Sequence, residues 1–246
     1  MKANSDKCHV LLSTRDRKDI MVCDSIISNS ACEKLLGVHF DCDLSFTSHI
    51  NHICKVANQK LHALSRVSNY MSFSQRKLLL NAFFLSQFNY CPLVWMCHNR
   101  ELNNKINRLH ERVLRMIYKD YVSSFDDLLV KDNSHNIHGK NIRHLIVEMF
   151  KVRQNIAPDL FKEFFMSKNC EYNLRQSSDF LVPSVKSTSY GLSSISYLGP
   201  RLRNSLPNDI KNSTSISTLK SKLKNCKELN CPCKLCKVYL QSIGFM

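Results

Sequence analysis

Glycine is scarce in this sequence. The 246 residues include five (Gly37, Gly139, Gly191, Gly199 and Gly244), each isolated, so neither a Walker loop nor a G-x-G-x-x-G turn can be built. Nucleotide binding of those two kinds is excluded. Long hydrophobic runs are also missing. No stretch approaches the ~20 apolar residues of a membrane-spanning helix, and the first residues hold no signal-peptide core. These absences place the expected chain inside the cell, nuclear or cytoplasmic. Acidic residues are outnumbered, 20 against 35 lysines and arginines, giving a formal net charge of +15. That balance favours a polyanionic partner, nucleic acid or an anionic membrane surface. Twelve cysteines in a chain without a secretory signal are expected to be reduced thiols, with a metal site wherever they cluster tightly.

What is present divides by period. The first 45 residues read as strands over 8–13, 20–27 and 34–41, the first two forming a hairpin across the charged "TRDRKD". Two strands alone are marginal in water, so this hairpin reads as the edge of a larger sheet. From Thr47 the apolar residues Ile50, Ile53, Val56, Ala57, Leu61 and Leu64 recur at helical spacing, predicting a helix to about Val67. Ser72 or Ser74 caps a second helix, "SQRKLLLNAFFLSQFNY", apolar on most sides. Pro92 then breaks the chain before a third helix over 100–119. Further helices are expected at "NIRHLIVEMFKVRQNI" and "PDLFKEFF". From about Ser167 the texture turns to Ser, Asn, Tyr and Pro, predicting short strands and turns, with helix returning only at "STSISTLKSKLKN" before a cysteine-rich tail. The expected fold is mainly α, in three regions: strands over 1–45, a helical bundle over 46–166 and a C-terminal region over 167–246.

Four constellations bear on chemistry. In the third helix, Lys105, Arg108, Arg112, Arg115 and Lys119 follow steps of three and four opposite the apolar seam of Leu102, Ile106, Leu109, Val113, Leu114 and Ile117. They form either a solvated face or a stripe that contacts phosphates. "CKELNCPCKLC" carries Cys226, Cys231, Cys233 and Cys236, four thiols within eleven residues. These four either close on one structural zinc or remain reduced cysteines in a basic tail. The C-P-C step is tight, since adjacent ligands usually stand two to four residues apart. "SFDDLL" has two aspartates beside an aromatic, but Phe125 abuts Asp126, so the F/Y-x-D-D spacing of a polymerase metal site fails. Ser123 and Ser124 instead mark a helix start with acids in its first turn. In "HINHIC", His49 and His52 stand one turn apart and read as an ordinary surface pair.

Three phrases carry a family resemblance. "MKANSDKCHVLLST" resembles the segment just after the catalytic hairpin of non-LTR (LINE-type, jockey- or CR1-like) retrotransposon reverse transcriptases. "EKLLGVHFDCDLSFTSHINHICKVANQKL" resembles that family's entry to the thumb. "SYLGPRLRNSLPNDIKNSTSISTLKSKLK" is similar to its far C-terminal phrase. Their order and separations fit, and the likeness spans nearly the whole chain. Departures stand at Ser45-Phe46, where the family prefers Thr-Trp, and at Arg203, where it usually has Trp.

The resemblance implies palm-end strands, a thumb-like bundle and a nucleic-acid-binding C-terminal region. It also implies that the metal-binding aspartates of the palm lie before Met1, an internal methionine of a longer reading frame. On that expectation the chain is a truncated, non-catalytic part of an RNA-directed DNA polymerase. Mg2+ would belong only to the full-length parent, because two-metal phosphoryl transfer needs carboxylates to hold it. The expected partner is the backbone of RNA or DNA, not a membrane. The alternative is a decayed or mis-predicted reading frame with no selected function.

Overall fold

Residues 8–13, 20–22, 25–166, 179–187, 190–226, 229, 231–233 and 235–236 are described in a computed structural model of the chain. They are mainly helical, with a few short antiparallel strands, as the periodicity predicts. Contacts divide the chain into two compact units, Met1–Asp132 and Asn133–Met246.

The N-terminal unit begins with two hairpins. β1 (Ile20–Val22) pairs antiparallel with β2 (Ser25–Ile27), and β3 (Cys32–Leu35) with β4 (Val38–Asp41). The stretch 20–27 is therefore a hairpin and not one strand, and so is the region around 34–41. Val10 bridges Asn29 rather than residues 20–23, and the "TRDRKD" turn lies outside the described residues. A period-two apolar pattern does not say where a strand folds back. Here the fold-back between β3 and β4 is a two-residue turn with positive φ at both Leu36 (47°) and Gly37 (84°), the geometry that twists with the strands. Tyr90 covers the turn: its hydroxyl donates to the Leu36 carbonyl at 2.6 Å, and a Cβ on Gly37 would meet its ring at 3.4 Å.

α1 (Thr47–Val67) has the predicted bounds. Its N-cap residue, Phe46, is left-handed and offers no capping oxygen. The Asp41 carboxylate takes over, accepting from the Ser45 N–H at 2.6 Å and the Thr47 N–H at 3.2 Å. α2 (Phe73–Leu80) starts at a Ser72–Gln75 capping box, continues through one π-helical turn (Asn81–Leu85) and ends as α3 (Ser86–Phe88). α4 (Pro92–Trp95) places Pro92 at its first turn, where the missing N–H is not needed. α5 (Arg100–Tyr118) is capped by Asn99, and α6 (Phe125–Lys131) by a Ser124–Asp127 capping box, which is the helix start expected at "SFDDLL". Arg76, buried in α2, donates to the Ile117 carbonyl at 3.2 Å and so meets the negative end of α5.

His49 differs from its expected surface position. It is 2% exposed, with its ring 6.0 Å from that of Trp95, and its Nδ1 accepts from the His39 N–H at 3.4 Å. Accepting through Nδ1 requires neutral imidazole. Burial, with the nearby His39 and His52 adding to it, lowers the His49 pKa to about 4. Between the unfolded value near 6.5 and about 4, the unfolded chain binds a proton that the folded chain does not, so stability falls as pH falls. We expect the N-terminal unit to lose about 2 kcal/mol between pH 7 and pH 4.5. Urea titrations at the two pH values check this. His49→Gln should flatten the dependence, and an unchanged wild-type midpoint would show that His49 does not titrate in this way.

The C-terminal unit is built on α7 (Ile137–Arg153), capped by Asn136. α8 (Leu160–Phe164), α9 (Ile195–Ser205), α10 (Asn208–Lys211) and α11 (Ile216–Asn225) follow, with α9 and α11 packed on α7. Ile142, Leu145, Ile146 and Phe150 of α7 are buried, as are Leu198 and Leu202 of α9 and Leu219 and Leu223 of α11. This corrects the expectation of strands and loops with a single helix after residue 167. The described part carries three α-helices and one 3-10 turn (Gly191–Ser193), while residues 167–178 lie outside it. Gly199 sits where a Cβ would come within 2.6 Å of Met149 Sδ, so it sets the close crossing of α9 on α7. Arg203 is buried, and one of its amino groups donates to the Lys211 carbonyl at 2.9 Å. Burial pushes its pKa down to about 10.

Candidate metal centre and basic helix face

The metal candidate forms where the chain after α11 returns to the start of α7. Arg143, in the second turn of α7, donates from Nε to the Leu223 carbonyl at 3.0 Å and from Nη2 to the Cys226 carbonyl at 2.6 Å. It thereby satisfies carbonyls that the end of α11 would leave open. Beyond that clasp, Cys231 and Cys233 are buried, 5% and 6% exposed, and Cys236 is half-buried. His138, in the first turn of α7 and 6% exposed, meets them. Its Nε2 lies 3.2 Å from Cys233 Sγ, which also accepts from the Cys236 N–H at 3.4 Å.

The one nitrogen and three sulfurs all lie within 4.8 Å of one another. Ligands in a tetrahedral zinc–thiolate site stand roughly 3.7 Å apart, so a small closure would complete one. Cys226 is not among the four. It is the C-cap of α11, with its carbonyl taken by Arg143, and His138 stands in the place that spacing had assigned to it. No local pattern could have named His138, because it precedes Cys231 by most of the C-terminal unit.

The electrostatics suit a cation. The thiols of Cys231 and Cys236 donate to Cys233, holding its pKa well below the ordinary thiol value, with His138 adding to the effect. The same hydrogen bond raises Cys231 to about 12, and donation to its two neighbours together with burial raises Cys236. One thiolate shared among two buried cysteines and one half-buried one places negative charge inside the cluster. A soft divalent metal would neutralise it, in keeping with the preference of thiolate and imidazole donors.

The basic helix is α5, and Lys105, Arg108, Arg112 and Arg115 share one face of it, with the apolar seam buried opposite, while Lys119 is its left-handed C-cap. Lys105, Arg108, Arg112 and Lys119 are exposed and Arg115 is half-buried. They are not equally available. Lys105 Nζ donates to Asn51 Oδ1 at 2.6 Å and Arg112 to Asn58 Oδ1 at 2.8 Å, neutral partners on the neighbouring α1. Arg115 is paired with Glu111 at 2.6 Å. Arg108 and Lys119 form no ion pair among the described residues. Arg108, Glu111, Arg112, Arg115, Met116 and Tyr121 line an open cleft of about 330 Å3 on this face.

Comparison with known proteins returns no matching family model, no matching curated protein and no matching solved structure. Among the described residues no helix is long and apolar enough to cross a membrane.

Proposed function

We propose that the chain is a non-catalytic nucleic-acid-binding protein, corresponding to the thumb-like and C-terminal part of a non-LTR retrotransposon reverse transcriptase. The observation that carries this reading is the exposed cationic face of α5. Among the described residues, Lys105 and Arg112 meet neutral groups and Arg108 and the C-cap Lys119 form no ion pair, so their charge remains available to phosphates. Two of the three family-like phrases hold structural turning points: the Leu36-Gly37 turn and the Asp41 cap in one, the Gly199 crossing in the other. These residues shape the fold and supply no paired carboxylates for two-metal chemistry.

The test is oligonucleotide binding across a salt series. Each phosphate engaged contributes roughly 0.7 to 0.9 to the log–log slope. Arg108→Glu, Arg112→Glu and Lys119→Glu together should flatten it by about two to three units with helicity unchanged. Arg115→Glu alone should change it little, because Glu111 already offsets that charge. A triple variant with the wild-type slope would remove α5 as the binding face. The same preparation should extend no primer on an RNA template with Mg2+ and nucleotides. Extension that copurifies with the chain would overturn the non-catalytic assignment.

For the metal we propose zinc, in a structural site of three cysteines and one histidine: His138, Cys231, Cys233 and Cys236. Four protein donors leave no open position for a substrate or activated water, which is the pattern of structural rather than catalytic zinc. Bound there, zinc would fix the segment after α11 to the start of α7.

A further inference from the structure

A second cationic surface lies wholly in the C-terminal unit. Lys140, His144, Val147 and Lys151 follow one line along α7, and Lys220, Leu223 and Lys224 follow another along α11. Together with Arg143 they wall an open cleft of about 330 Å3. Val147 and Leu223 are buried beneath it and form its floor. Five lysines and arginines line the cleft against one acid, Glu148, which is engaged by Lys151 at 2.8 Å. The Arg143 guanidinium donates to the carbonyls of Gly139, Leu223 and Cys226, which fix it in place at the cleft wall.

We propose that this α7–α11 cleft binds the phosphodiester backbone of single-stranded nucleic acid. The inference rests on the nucleic-acid reading above but on a different unit and different residues. Three features select this ligand over a single phosphate group. The cations are strung along two rows: Lys140 to Lys151 alone spans roughly 16 Å of helix, at 1.5 Å per residue. A lone phosphate needs donors that converge, and a chain of phosphates needs donors in series. The lining also holds no tyrosine, tryptophan or phenylalanine, and its rings are those of His135 and His144, so large stacking platforms are lacking and recognition rests mainly on the backbone. Finally, the walls are braced. Arg143 ties the end of α11 to α7, and the His138 cluster lies one turn away on the same helix, so the width of the cleft is set before any ligand arrives.

The experiment uses the full chain carrying its metal, a mixed-sequence single strand and an abasic strand of equal length. Lys220→Glu with Lys224→Glu, both exposed on α11, should lower the log–log salt slope by about 1.4 units, two single-strand contacts at roughly 0.7 each. Metal content and helicity should stay unchanged. In the α5 triple variant, where the cleft would carry the remaining affinity, the abasic strand should bind as well as the intact one. An unchanged slope in the α11 variant sinks the cleft, while a slope loss in the α5 variant keeps the first reading alive. The reverse pattern sinks the first reading and keeps the cleft. Full competition by millimolar inorganic phosphate, or binding of anionic lipid vesicles through these lysines with none of the strand, would also overturn the proposal.

Discussion

Dialysis of the purified chain against a strong chelator at neutral pH is expected to remove one zinc per molecule and to melt much of the C-terminal unit. The expectation follows from where the four donors sit. Three are on the segment after α11 and one is on α7, so the metal would be the crosslink that closes this end of the unit. Apparent binding free energies of structural zinc in small domains are on the order of 10 to 16 kcal/mol. Without the ion, buried thiols and a thiolate would be left with one another, an arrangement that burial penalises.

Loss of far-UV ellipticity should accompany loss of metal. The emission of Trp95, the chain's sole tryptophan, lies in the N-terminal unit and serves as the internal control. Cys231→Ser, Cys233→Ser, Cys236→Ser and His138→Ala should each abolish stoichiometric zinc, whereas Cys226→Ser should retain it. His138→Cys should also retain it, as a four-cysteine site, which a merely structural role for the imidazole does not predict. Protein purified without metal and with all these thiols freely reactive would sink the site. Zinc lost on Cys226→Ser but kept on His138→Ala would restore the arrangement that spacing alone suggested.

That contrast shows where sequence reasoning ran out. Local signals were legible. The bounds of α1 followed from a helical apolar period, the start of α6 from Ser124 and Asp127, and the α5 stripe from steps of three and four. Each of these is decided within a few residues. The fourth member of the candidate metal cluster was not, because Cys226 is near in sequence while His138 is near only after α11 packs on α7. α9 was hidden for a related reason. Its Ser-, Tyr- and Pro-containing texture pointed to short strands and turns, yet burial of Leu198 and Leu202 overrides local propensity, and Gly199 leaves room for Met149. His49 looked like half of a surface pair until Trp95 covered it. In all three cases the deciding neighbour comes from a distant part of the chain.

Trp95→Ala is expected to destabilise the N-terminal unit by about 3 to 5 kcal/mol, a large share of a typical domain's stability. Trp95 is 0% exposed and ends the short α4, where Pro92 fixes the entry of the chain. Its ring stands 6.0 Å from His49 of α1, 6.4 Å from Phe88 of α3 and 6.1 Å from His98, so the indole fills the space between three segments. Its N–H donates to the Tyr90 carbonyl at 3.1 Å, and Tyr90 in turn holds the β3–β4 turn through Leu36. Truncation therefore opens a cavity and frees the residue that anchors the hairpin. Trp95→Phe separates the two effects: it keeps most of the volume and loses the hydrogen bond, which should cost about 1 to 2 kcal/mol. Because the substitutions remove the only tryptophan, the measurement is urea unfolding followed by far-UV ellipticity, with zinc content as the check on the other unit. A shift of less than about 1 kcal/mol for Trp95→Ala would mean that the site collapses freely and that the helices around it are not held by this side chain.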